Sequence, residues 1–588
     1  MKSLVWLSEQ VLRDSGIRCG VDPTMDIRTV RRRVENEGNS FLTITLPAFG
    51  KAFDNALATG RIVANSASMF RFRKGIPVFL QGFHTKIFHA DGRLRDDACL
   101  DCIECARQIC RLHSKVLLSC TEERERAAEA AFIACENELK AHVFDEVLLD
   151  DFEKVSSIIL SDVMREVPFG DLYPLLEPRH GPGATQERIK GNAKFRWKRW
   201  HSRLEEHFPF TEFGIASIRN LGEENCPLSK VKFIEPGSEK PVRVIFVPKT
   251  LKTPRVIAIE PVCMQYIQQS LLQALVPLIE RGTYTGGRVN FTRQSINRDL
   301  ALSSSKDGRY ATVDLSEASD RVALELVDRM LTSVPTLKEM VMACRSSSAK
   351  LPSGRIVQLT KFASMGSALC FPMEALAFFS AIVTIRIRAA KCAINSRTVR
   401  KYSKGVHVYG DDIIIPTDET PGICDHLKLF GLKVNASKTF WTGKFRESCG
   451  VDAFDGVDVT PVYCRRLRPA DSKSSSEVVS WVEMANLFYK KGFWHTARSI
   501  RKVVEETLQI ELPHREAASE GLGWRSYSEL RTLQRWNAKL HRFETRTVIA
   551  STPRTRDILT DDGALLKCFK TIGLPSIDLS HLTETIRR

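Results

Sequence analysis

The sequence predicts an α+β protein of several subdomains, on three observations. Short β-rich runs come in hairpin pairs, one around Gly410-Asp411 and one inside Pro241 to Glu260. Elsewhere apolar residues recur at three- and four-residue steps, the period of a buried helix face. Finally, 588 residues, 43% of them hydrophobic, exceed what one core organises, so about two to four subdomains are expected.

Charge narrows the partner. Lysine plus arginine number 86 against 70 aspartates and glutamates, a formal charge of +16 that points to a polyanion, either nucleic acid or an acidic membrane. The N-terminus meets Lys2 and Glu9 around a brief apolar run, so no secretory signal is expected. The longest apolar segment, Ala375 to Ile385, is too short to span a bilayer and is followed by Arg386 and Arg388; it reads as a buried helix. With neither export signal nor anchor, the 16 cysteines are expected as reduced thiols in a cytosolic setting.

Met1 to about Asp150 is expected to mix helices with strand-like pieces such as Phe41-Leu42-Thr43-Ile44-Thr45-Leu46. Cys99, Cys102, Cys105, Cys110 and His113 resemble metal ligation in spacing, yet they share one helical face with Ala106, Ile109 and Val116. One continuous helix hardly presents a tetrahedral set, so these cysteines are read as small core residues. After the glycine- and proline-rich loop Arg179 to Thr185, the cations Lys190, Lys194, Arg196, Lys198 and Arg199 are interleaved with Phe195, Trp197 and Trp200. Two readings stand open there: a single-stranded nucleic acid groove with rings for bases, or an amphipathic surface helix that buries its tryptophans. The hairpin of Pro241 to Glu260 projects Lys249, Lys252 and Arg255, a ridge suited to a triphosphate or an RNA backbone, or else an ordinary exposed basic hairpin.

Chemistry concentrates downstream. Tyr310 to Val313 reads as a buried strand ending in Asp314, with Leu315 to Asp320 turning into a helix near Arg321. A carboxylate in that place is costly unless paired or metal-bound. The hairpin tip with Asp411 and Asp412 is doubly negative, either a solvated turn or a holder of divalent metal. Together with Asp314 it makes a candidate site for two ions about 4 Å apart, the spacing that clamps both oxygens of an in-line displacement. Between them lies the small-residue loop Ala363 to Ser367, whose Gly366 lets backbone approach a ligand, and then the helix around Pro372 to Leu376. Lys438 is a candidate proton donor or phosphate contact. From about Asp471 the chain turns mostly helical, and a domain boundary is placed there.

The Lys249/Arg255 loop, Asp314 to Asp320, Ser364-Met365-Gly366-Ser367, Tyr409-Gly410-Asp411-Asp412, Asn435 to Lys438 and Phe445 to Gly450 occur in an order that resembles viral RNA-dependent RNA polymerases. More narrowly, the set is similar to the replicase catalytic subunit of the positive-strand RNA bacteriophages, the Q-beta-like levivirus group. The resemblance is close from about Lys240 to Arg468 and thin upstream. It implies a right-hand polymerase of fingers, palm and thumb, with an antiparallel palm sheet flanked by helices and a mostly helical thumb. The implied divisions are an N-terminal part of the fingers over 1–150, fingers with the basic hairpin over 151–300, palm over 301–470 and thumb over 471–588.

The resemblance also implies roles. Asp314, Asp411 and Asp412 would hold two Mg2+ ions, or Mn2+, and Lys438 would protonate the leaving pyrophosphate. Lys249, Lys252 and Arg255 would neutralise the triphosphate, while Ser319, Asp320 and the loop carrying Ser364 and Gly366 would sense the ribose 2′-hydroxyl. Implied partners are template and product RNA, ribonucleoside triphosphates, host EF-Tu and EF-Ts, and a small-subunit ribosomal protein, with primer-independent synthesis in the cytoplasm of an infected bacterium. The chain departs from other positive-strand polymerases at Cys370 and Glu374, near positions where those carry threonine and asparagine. A reverse transcriptase is the nearest rival, but Leu315 to Ser319 lacks the bulky gate expected near Asp314. A non-catalytic RNA-binding protein is the other, and it has no reason to end an apolar strand in a carboxylate.

Overall fold

The computed structural model describes residues 2–64, 69–167, 171–217, 227–515, 521–527, 534–550 and 557–571. Helices and short strands are mixed along the chain, and two large cores organise them. One core runs from Leu139 to Leu432, with Leu566 added; the other joins Leu4 to Val116 with Phe440 to Trp524. The cores therefore cut across linear divisions at 150, 300 and 470. Helix Trp494–Leu508 packs on helix Lys2–Cys19, and Trp481 stacks on Trp6 with ring centroids 6.3 Å apart. Residues 572–588, the end of the expected thumb, lie outside the described residues.

An ion cluster ties the two halves of the second core. Arg107, on helix Leu100–Arg111 and fully buried, reaches Asp54 and Asp452 at 2.7 Å each and donates to the Val459 carbonyl. Removing either carboxylate would leave a buried charge under-compensated, at a cost of about 3–5 kcal/mol. The same helix buries Cys102, Cys105 and Cys110, so the cysteine face is core, as its spacing indicates. His113 is buried too and meets Ser8 Oγ at 2.8 Å.

Several local expectations are corrected. Phe41–Thr45 is a π-helical turn leading into helix Leu46–Thr59, not a strand: Phe41, Leu42 and Leu46 all face the core, which a period of two does not allow. Phe195, Trp197 and Trp200 are buried at 5%, 5% and 0% exposure, so their rings are packing and not a base-stacking surface. They do not lie on an amphipathic helix either: Phe195 ends a 3-10 turn Gly191–Phe195, Trp200 lies on strand Arg199–His201, and Trp197 sits in the irregular stretch between them. The apolar helix extends over Cys370–Ala389, beyond the segment from 375 to 385. By length and composition it is apolar enough to cross a membrane, but it is 94% buried, against helices Glu146–Val163, Ser396–Ser403 and Thr420–Leu427.

A three-stranded antiparallel sheet positions the chemistry. Strand Asp412–Pro416 is central between His407–Tyr409 and Tyr310–Asp314. Residues 311, 313, 408 and 413–415 are buried, so the acidic residues sit where the apolar ladder ends. The basic hairpin Val242–Val247 and Arg255–Ile259 belongs to a separate four-stranded sheet with Ser348–Lys350 and Ile356–Gln358.

Candidate active site

Backbone pairing brings together what the sequence separates. Asp412 is the direct partner of Asp314, and Tyr409 pairs with Asp412 across the Gly410-Asp411 turn. Directly opposed Cα atoms in such a ladder are about 4.5–5.5 Å apart. Gly410 has φ +61°, as primed hairpin turns require, and a Cβ there would meet the Phe371 ring at 2.2 Å. Phe371 also stacks edge-on to Tyr409, which accepts from Gln294 Nε2 at 3.0 Å.

The far flank of Asp314 is built by Val434 and Phe440, which bridge Leu315 and Thr312. That pairing delivers Lys438 Nζ to Asp314 Oδ1 at 3.3 Å and Asn435 Nδ2 to Oδ2 at 2.7 Å. Asp412 Oδ1 accepts from Ser448 Oγ at 3.3 Å and is supported by Cys449. Asn435, Ser448 and Cys449 fall within the motifs Asn435 to Lys438 and Phe445 to Gly450, whose spacing carries no signal of these contacts. Asp411, at the exposed tip, meets no side-chain donor among the described residues.

Electrostatics mark the cluster as unbalanced. Burial, then Asp411 and Asp314, push Asp412 up to about 6; Asp411 reaches solvent at the tip, yet desolvation by the surrounding chain and the Asp314 charge raise it too. Lys438 is held above its usual range, because Glu447 and Asp314 outweigh the burial that opposes its charge. Lys249 is exposed at the basic hairpin, yet desolvation, Arg255 and Lys438 lower it while Asp411 and Asp314 pull it back. Lys252 and Arg255 are exposed beside it, and Lys51, from the N-terminal region, adds a cation that feels Lys252 and Lys438. No sequence signal singled out Lys51.

Hard oxygen donors with surplus negative charge suit divalent magnesium. As the side chains stand, no group of three or more among the described residues is close enough to cage an ion, and Asp314 is turned toward Asn435 and Lys438. The donor chemistry fits the metal; the rotamers are those of a lysine-paired site.

The remaining candidates lie on the turn after Asp314 and on the loop before helix Cys370–Ala389. The turn after Asp314 is a 3-10 segment Ala318–Arg321, and the helix begins at Leu324, later than expected. Asp320 is half-buried and pairs with Lys361 at 2.8 Å. Ser319 bonds the Cys370 thiol, whose neighbour Glu374 is pushed up to about 8 by burial and by Asp411 and also feels Asp320. Ser364 is 5% exposed with no partner for its hydroxyl among the described residues, facing a small cavity shared with Glu260 and Gln268. Gly366 has φ +132°, and a Cβ there would stand 2.0 Å from the Ala258 carbonyl oxygen, so the chain's own basic hairpin accounts for the glycine.

An acidic sheet edge opposed by a basic hairpin is built for cations and phosphate, and the stretch that carries it, residues 220–474, matches the family model described as RNA replicase, beta-chain. The likeness to particular proteins lies with the RNA phages. The RNA-directed RNA polymerase subunit beta of Qbeta virus (strain MX1) is 36% identical over 307 residues, 52% of this chain and 48% of the relative. That of Enterobacteria phage SP is 38% identical over 311 residues, 52% of this chain and 49% of its own. The chain thus spans about half the length of the curated relatives it matches. The RNA-dependent RNA polymerase of a human picorbirnavirus superposes at TM-score 0.32 and 10% identity over 45% of this chain and 55% of that one.

Proposed function

We propose that this cleft performs template-directed RNA synthesis for a single-stranded RNA phage. The observation that carries the reading is the direct cross-strand pairing of Asp412 with Asp314, with Asp411 at the turn and Lys438 on the far flank. The sheet is then the palm, the basic hairpin part of the fingers, and the helical C-terminal region the thumb. When bound between Asp314, Asp411 and Asp412, two Mg2+ ions, or Mn2+, supply an activated RNA 3′-hydroxyl and screening of the triphosphate.

The chain's own groups do the rest. Lys249, Lys252 and Arg255 draw in the ribonucleoside triphosphate and neutralise it. Lys438, kept protonated by Glu447 and Asp314, holds a proton at Nζ for the leaving pyrophosphate. Asp320 and Ser319 meet the ribose. Initiation without a primer, assembly with host EF-Tu, EF-Ts and a small-subunit ribosomal protein, and action in the cytoplasm of the infected bacterium belong to the same proposal and rest on the phage likeness.

The test is Asp411→Asn. It should abolish magnesium-dependent nucleotide addition on a defined RNA while salt-sensitive RNA binding persists. Continued synthesis by the variant refutes the catalytic assignment, and equal use of deoxyribonucleotides by the parent protein would favour reverse transcription.

A further inference from the structure

A fully buried lysine joins the cleft to the N-terminal third. Lys361 has 0% exposure, with Nζ 3.0 Å from Glu136 Oε1, 2.8 Å from Asp320 Oδ1 and 3.5 Å from the centroid of Phe132. Glu136 is itself 3% exposed and accepts from the Thr360 backbone N–H at 2.7 Å. Asp320 differs from both: its side chain keeps 23% of its surface open, and it acts on Glu374 beside Asp411. Helix Glu122–Ala141, which bears Phe132 and Glu136, also touches this turn through Cys135 Sγ to the Asp320 carbonyl and Glu138 to Arg321.

Two carboxylates thus share one ammonium. Burial works against the charge on Lys361, but Asp320 and Glu136 outweigh it and hold the lysine protonated. Because Glu136 takes part of that charge, Asp320 stays electron-rich and keeps an oxygen available to accept a hydrogen bond from the cleft. We infer that Glu136, outside the segment matched to the replicase family, is a positioning residue for sugar selection: through Lys361 it sets how strongly Asp320 accepts the ribose 2′-hydroxyl. The inference rests on the reading of Asp320 as the ribose contact.

Glu136→Gln keeps shape and the acceptor for Thr360 but gives Lys361 wholly to Asp320. The full-length variant should lose about fivefold in its preference for ribonucleoside over 2′-deoxyribonucleoside triphosphates, measured as the ratio of kcat/KM values. Glu136→Asp, with the charge retained but withdrawn by one methylene, should fall between, and Glu138→Gln on the same helix should match the parent. Asp320→Asn should reduce the ratio further. If Asp320→Asn lowers the ratio while both Glu136 variants keep the parental value, the inference is overturned and the ribose reading stands. If Asp320→Asn itself keeps the parental ratio, the ribose reading falls and takes the inference with it.

Discussion

Asp412→Asn should stabilise the metal-free protein while impairing synthesis. Folding raises the Asp412 carboxyl from 3.8 to about 6 through burial, Asp411 and Asp314. A raised carboxyl means that the native state binds more protons than the unfolded chain, so stability is full below the unfolded value and is lost as pH rises through the folded one. About two pKa units correspond to about 3 kcal/mol at pH 8. Partial exposure of Asp412 and loss of one of its two acceptor oxygens, which serve Ser448 and Cys449, reduce the expected gain of the asparagine variant to about 2 kcal/mol. At pH 5 the gain should be about half as large, because much of the parental carboxyl is then protonated in the fold. Urea unfolding in EDTA at the two pH values measures it. Magnesium should then reverse the order, raising the melting temperature of the parent more than that of the variant. A variant less stable than the parent at pH 8 in EDTA would refute the reasoning that these carboxylates repel one another without a cation.

Other expectations follow from the same geometry. Lys438→Ala should lower kcat about 10- to 100-fold with little change in KM in steady-state assays; a pure KM effect would make it only a phosphate contact. Lys249→Met with Arg255→Met should raise KM for nucleotides about tenfold and weaken its salt dependence, and an unchanged KM would leave the basic hairpin without a triphosphate role. Gly366→Ala forces a Cβ against the Ala258 carbonyl at φ +132° and should cost about 2–4 kcal/mol by chemical denaturation; a neutral result would show that the loop shifts freely.

Legibility depended on how local each signal was. Asp314 and the Asp411/Asp412 tip could be read because a charge at the end of an apolar run is visible in the order of residues, and the hairpin turn fixes its own register. The second layer was hidden: Asn435 donates to Asp314 only because Val434 and Phe440 bridge the strand edge, a pairing that no spacing announces. Trp197 and Trp200 leave two readings open for the converse reason, since rings among cations look alike whether they face water or core. The Phe41 to Leu46 run shows the limit of short apolar patterns, which fit strand and helix until burial decides.

The second core has a consequence for how the chain is made. Its halves are sequence-distant: Arg107 donates to Val459 across 352 positions, so helices synthesised first finish packing only when the last third emerges. At ribosomal rates of about 5–20 residues per second, that is a wait of about 20–70 seconds with Leu4, Phe49 and Phe53 lacking part of their cover. The early N-terminal segment is therefore a natural client for a holding chaperone, and a message cut short before codon 440 should yield aggregates and not a folded fragment.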